Sequence, residues 1–128
     1  MIKRFVAIFL LIMVLMISVA IPAYAATAVN GQYSSMSLPY YYGTLQLTGV
    51  GFNPTFYINV SGGSSLTFDV WIINPLGVRS QVYTGLPANG NDIVISSYWL
   101  SGNYSIEVSA HSGHSSGNNY YLNVKPVW

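Results

Sequence analysis

From Tyr40 onward the chain repeats one pattern: apolar and polar residues alternate with a period of two. An extended backbone sends successive side chains to opposite faces, so this alternation marks half-buried β-strands. Leu45 and Leu47 alternate with Thr44, Gln46 and Thr48. Phe56, Ile58 and Val60 alternate with Tyr57 and Asn59. Val78, Ser80 and Val82 share one phase of a short strand over Val78–Tyr83, and Ile93 and Ile95 centre another over Asp92–Ser97. Tyr104, Ile106 and Val108 alternate with Ser105, Glu107 and Ser109. Tyr120, Leu122 and Val124 alternate with Tyr121, Asn123 and Lys125, and Pro126 is expected to end that last strand.

Leu66–Gly77 departs from the pattern. Phe68, Val70 and Ile72 fall on one phase, and Asp69, Trp71 and Ile73 on the other. Both phases carry apolar bulk, which predicts a central strand covered on both faces. Asn74-Pro75-Leu76-Gly77 closes it, since proline presets φ and glycine accepts the reversal. Further breaks fall at Gly49–Pro54, Ser61–Ser65, Thr84–Asn91 and Ala110–Asn118. About seven strands at turn-punctuated spacing, with no sustained helical period, predict an all-β antiparallel β-sandwich of jelly-roll or Ig-like form. It would occupy residues 40–128. Three consecutive tyrosines, Tyr40–Tyr42, cannot all face its core. Residues 26–39 are small and polar, with a turn signal at Asn30-Gly31, and read as a flexible arm or an edge strand.

Residues 1–25 have the form of a secretory signal peptide. Lys3 and Arg4 precede an apolar core, and Pro22 breaks its helix. Ala23-Tyr24-Ala25 places small residues where a signal peptidase reads them. The apolar run is at the short limit for a membrane span. Cleavage after Ala25 is therefore expected, so that the membrane is met only through the leader. The product would be secreted, to the extracellular space or the cell surface.

That expectation changes the charge. Beyond the leader only Arg79 and Lys125 stand against Asp69, Asp92 and Glu107. Two cations give no footprint for a phosphate backbone, which argues against nucleic acid, and none for an anionic membrane. No cysteine is present, so no disulfide or thiolate site is available. With so few carboxylates, tolerance of acid is expected.

The pieces Phe68–Gly77, Leu100–Val108, Gly117 and Tyr120–Val124 resemble the bacterial pre-peptidase C-terminal domain over roughly residues 56–124. The resemblance rests on a strand beginning with Asp that runs into a Pro-x-Gly turn, and on two closing hairpin strands. It implies a compact β-sandwich of the kind attached to secreted proteases, some of which bind collagen or polysaccharide. No catalytic domain is expected ahead of it, so the module would be the whole protein. Related collagen-binding modules use an N-terminal acidic calcium cluster, and residues 26–68 hold no Asp or Glu, so calcium does not carry over.

The candidate chemistry is thin. Gly113-His114-Ser115-Ser116-Gly117 matches G-x-S-x-G, but a nucleophile elbow needs a following helix and a later histidine, and neither is expected. His111 and His114 lack the further ligands of a zinc site. Asp69 and Glu107 would approach each other if their strands pair, the arrangement that could run glycoside hydrolysis. A structural role fits them better. Asp69, in an apolar strand, needs a partner, and Arg79 just across the turn is the expected one. Asn59 and Asn103 head N-glycosylation sequons. Trp71, Tyr83, Tyr98, Trp99 and Tyr41 are the candidate binding aromatics.

The sequence therefore predicts a non-catalytic module without metal or cofactor that adheres to an extracellular polymer, cell wall or surface protein. A self-assembling extracellular subunit that uses strand addition is the alternative, with a small hydrolase behind both.

Overall fold

The computed structural model describes residues 23–38, 41–63, 66–112 and 119–128. The expected leader core and the Gly113–Gly117 motif, with His114, lie outside them. The described residues form nine strands: β1 (Ala23–Thr27), β2 (Ser34–Leu38), β3 (Tyr42–Val50), β4 (Thr55–Ser61), β5 (Thr67–Ile73), β6 (Arg79–Pro87), β7 (Ile93–Ile95), β8 (Gly102–Ser112) and β9 (Tyr120–Val127). They make two sheets, of order β1-β3-β8-β5-β6 and β2-β9-β4-β7. All pairings are antiparallel except β1–β3, which is parallel. The chain is an all-β sandwich, as the alternation predicts, with two more strands.

Residues 26–39 supply much of the difference. Their apolar positions are sparse, yet they contribute to an edge strand in each sheet. β1 runs along β3, and β2 buries Met36 and Leu38 against β9. The other change is at β6. Thr84–Pro87 reads as turn, but the strand runs through it, because Gly85 takes φ 75° and a bulge shifts the register against β5. Leu86 thereby returns to the core. β9 likewise continues past Pro126, which pairs opposite Phe56.

The inward phases interlock as the pattern requires. Leu45, Leu47, Phe68, Val70, Ile72, Ile106 and Val108 from one sheet face Phe56, Ile58, Val60, Leu122 and Val124 from the other, and all are fully buried. Two ring pairs bridge the layers. Phe56 meets Tyr104 with centroids 5.0 Å apart, and Phe68 meets Tyr120 at 5.5 Å. β5 is interior in its sheet, but only its Phe68 phase is core. Asp69, Trp71 and Ile73 are half-buried on the outward face, because no third layer among the described residues covers them. The apolar run reflects that partial cover by neighbouring side chains, and the expectation of burial on both faces does not hold.

Candidate functional site

The outward face of the five-stranded sheet holds three of the charged side chains. β5 sits between β8 and β6 with Trp71 opposite Glu107 on one side and Gln81 on the other. Arg79 lies over the Trp71 ring, its guanidinium carbon 4.5 Å from the ring centroid. It then reaches across to Glu107, donating from Nη2 at 2.8 Å and Nε at 3.1 Å. Glu107 holds the guanidinium charge and raises its pKa.

The expected Asp69–Arg79 pair is therefore not made. Arg79 stands opposite Ile73, four residues along β5 from Asp69, and Glu107 lies within its reach. Asp69 has other work: one carboxylate oxygen accepts the N–H of Gly85 at 3.1 Å, fastening the β6 bulge, and the other meets His111 Nδ1 at 3.0 Å. β5 and β8 do pair, but Asp69 stands opposite Ser109 and Glu107 opposite Trp71. The two carboxylates stand at diagonal positions of the β5–β8 ladder on one face, and each is engaged with a different partner.

The outward face of the four-stranded sheet carries a polar network that the alternation does not foretell. Asn59, 7% exposed, is the buried polar side chain among the described residues. Its amide donates to Asp92 at 2.7 Å, and its carbonyl accepts from Asn123 at 2.7 Å. Asn123 accepts in turn from Ser35 at 2.6 Å, and Tyr33 donates its hydroxyl to Asp92. That bond to a carboxylate pushes the Tyr33 phenol up to about 12. Lys125 sits over the rings of Tyr33 and Tyr57, at 5.0 and 4.6 Å. The network ties three strands, β2, β4 and β9, the loop before β2 and the residue before β7 into one unit. Asn59, the head of a sequon, is thus a structural hub; Asn103 is exposed and accepts from the Gly49 N–H.

The candidate aromatics do not form one platform. Trp71 is half-buried and capped by Arg79, so one face of its ring is taken. Tyr83 is exposed on the edge strand β6. Tyr98 packs edge-on against Phe56 and Tyr104, and burial raises its pKa. Tyr41, at φ 63°, packs against Tyr120 at the end where β3 begins. Trp99 is 66% exposed, at the other end of the sandwich.

That other end is where the exposed apolar side chains collect. The registers place the ends of β1, β3, β5, β7 and β9 there, with the starts of β2, β4, β6 and β8. Its loops cover residues 28–33, 51–54, 74–78 and 96–101, followed by Trp128. Val29, Phe52, Leu76, Val78 and Trp99 are all exposed on them, and Trp128 stands at the rim. Among the described residues, every exposed large apolar side chain other than the tyrosines and Val94 lies at this end. None of these loops contains Asp, Glu, Lys, Arg or His.

The loops are held by their own backbone bonds. Asn74 Oδ1 accepts from Leu76 and Val78 N–H, both at 3.0 Å, and Gly77 N–H donates to Asn74 C=O at 2.9 Å. Asn53 N–H donates to Trp99 C=O at 3.1 Å. Tyr104, fully buried, donates its hydroxyl to Leu100 C=O and pins the corner that carries Trp99. Asn30 clasps both the N–H and the C=O of Trp128, and Gly51 leaves room for that ring, since a Cβ there would sit 2.0 Å from it. Of this cluster only Trp99 is among the binding aromatics expected from sequence. Phe52, Leu76 and Val78 are separated along the chain, and only the common end of the strands gathers them.

This architecture defines the class: a two-layer, mainly antiparallel β-sandwich. A pre-peptidase C-terminal domain of a collagenase from Bacillus anthracis is similar to it with a TM-score of 0.55 at 16% identity, covering 83% of this chain and 97% of that one. PliG from Salmonella Typhimurium, a periplasmic inhibitor of g-type lysozyme, is similar with a TM-score of 0.52 at 14% identity, covering 84% and 99%. A mutant PliG from Escherichia coli gives 0.50 at 14% identity over the same shares. At such identities the likeness is one of fold. No protein-family model and no curated relative matches the chain.

Proposed function

We propose that the protein is an exported, non-catalytic binding module that adheres to an extracellular surface or polymer through its loop end. One observation carries this reading: uncharged loops from both layers present Val29, Phe52, Leu76, Val78 and Trp99 together on a rigid scaffold. A patch of this kind is costly to leave in water and marks an interaction site. The carboxylates and His111 are spent on structural bonds, which favours binding over chemistry. The likeness to a domain of a collagenase and to lysozyme inhibitors supports a module that works outside the cytoplasm. The test is retention of the exported protein on polysaccharides, cell envelopes, collagen and g-type lysozyme, beside the variant Phe52→Ser/Trp99→Ser. Retention of the wild type and loss in the variant is expected. Equal retention of the two, or none on any surface, refutes the role of this end.

A second reading is favoured by β1. That edge strand is Ala-Tyr-Ala-Ala-Thr, with no charge, proline or bulge to deter another strand. Cleavage after Ala25 would remove three of its five residues and uncover β3 at Thr44–Gln46. A strand from a second copy fits such an edge. Light scattering and negative-stain microscopy of the processed protein decide it: a monomer at high concentration excludes assembly.

A further inference from the structure

We infer that the partner met by the loop end is an uncharged lipid surface, into which Phe52, Leu76, Val78 and Trp99 insert. The inference rests on the binding role proposed for that end and names its partner. Three independent features of the end lead to it.

The first is charge. Residues 28–33, 51–54, 74–78 and 96–101 contain no Asp, Glu, Lys, Arg or His, so they bring no charged side chain to the surface. An anionic membrane would be met by Lys and Arg, as surface-seeking segments are. A zwitterionic or neutral surface demands none, and insertion here strips water from no charged side chain.

The second is the backbone. Entering an apolar medium is forbidden to loops whose N–H and C=O groups need water. Several of the protruding groups at this end are partnered from within. Asn74 satisfies Leu76 and Val78, Gly77 bonds back to Asn74, Trp99 C=O is taken by Asn53, and Leu100 C=O by Tyr104.

The third is shape. The apolar groups stand on separate tips with turns between them. A protein partner would need a matched pocket for each. A fluid bilayer closes around each tip separately. Sugar recognition calls instead for a flat ring flanked by polar hydrogen-bonding side chains, and Trp71, the ring with such neighbours, is capped by Arg79. Trp99 and the rim Trp128 have the amphipathic ring that settles at the headgroup level.

The experiment uses the full chain, expressed with its leader and collected after export. It is mixed with vesicles of phosphatidylcholine alone and separated by flotation. The wild type is expected to float with the vesicles, and Phe52→Ser/Trp99→Ser to float at least about tenfold less, as removal of two inserted side chains predicts. Tyr121→Ser, on the outward face of β9, is the control and should float like the wild type. Because no charge is engaged, raising salt from about 0.1 M to about 1 M should leave binding intact. Tryptophan emission should shift to the blue on binding, and should not in the double variant. Matching circular dichroism and melting of the variants excludes misfolding. Flotation lost in salt, or equal in wild type and double variant, overturns the inference. So does no flotation of the wild type; if that protein is nonetheless retained on a polymer or protein through Phe52 and Trp99, the binding role stands and only the lipid fails.

Discussion

Asn59 offers the sharpest test of how this sandwich is held together. It is buried on β4, with its two amide atoms committed to Asp92 and Asn123, each at 2.7 Å. Asn59→Ala removes both bonds. The neutral one is worth about 1 kcal/mol and the one to a carboxylate about 1.5–3 kcal/mol. Two compensations reduce the total. Asn123 Nδ2 keeps Ser61 Oγ at 3.3 Å, and Asp92 is exposed enough to recover water while retaining Tyr33. The expected loss is therefore about 2 kcal/mol, which for a domain of this size lowers the melting temperature by roughly 8–15 °C. Thermal and urea denaturation followed by circular dichroism measure it. A cycle with Asp92→Ala separates the direct bond from the rest, with a coupling of about 1 kcal/mol expected. A loss below about 0.5 kcal/mol would show that water replaces the network freely, and that Asn59 is not a hub.

Three further outcomes follow from the same reasoning. Tyr104→Phe keeps the ring packed on Phe56 but orphans the Leu100 carbonyl; a loss of about 1–2 kcal/mol is expected, with Trp99 emission more quenchable by iodide, and an unchanged quench would contradict the pinning of that corner. Tyr33 is held neutral by Asp92, with its pKa raised from 10.0 to about 12, so its contact is fully present below pH 10 and is lost as pH climbs through about 12. Wild type should lose more of its urea midpoint between these pH values than Tyr33→Phe does, and equal losses would refute the linkage. Gly51→Ala places a methyl in the space of the Trp128 indole, so the ring must swing out; a red-shifted Trp128 emission is expected, most cleanly read in a Trp71→Phe/Trp99→Phe background, and an unmoved spectrum would deny the close approach.

Which side chains face the core was legible in the sequence wherever alternation was clean. Phe56, Ile58 and Val60 point inward as read, as do Tyr104, Ile106 and Val108. Period two specifies a face but not a neighbour. The Asn59–Asn123 contact spans 64 residues and Asn59–Asp92 spans 33, and no local rule joins them. Asp69 shows the same limit. Proximity across a turn suggested Arg79, but the strand register sets Arg79 opposite Ile73 and leaves Asp69 beside the β6 bulge. That bulge was hidden because Thr84-Gly85-Leu86-Pro87 has turn chemistry, and only pairing with β5 keeps it extended. Phe52 and Leu76 look like ordinary loop residues until the ends of the strands are brought to one side.

Gly51, Asn30 and Trp128 seat the last residue of the chain among the exposed tips, while Ala23 enters at the far end. Trp128 and Ala23 are thus at opposite ends of the sandwich. An affinity tag or reporter joined after Trp128 would crowd the aromatic loops and mask them. A tether to Ala23, in a protein whose leader is left uncleaved, would instead hold it with those loops facing outward.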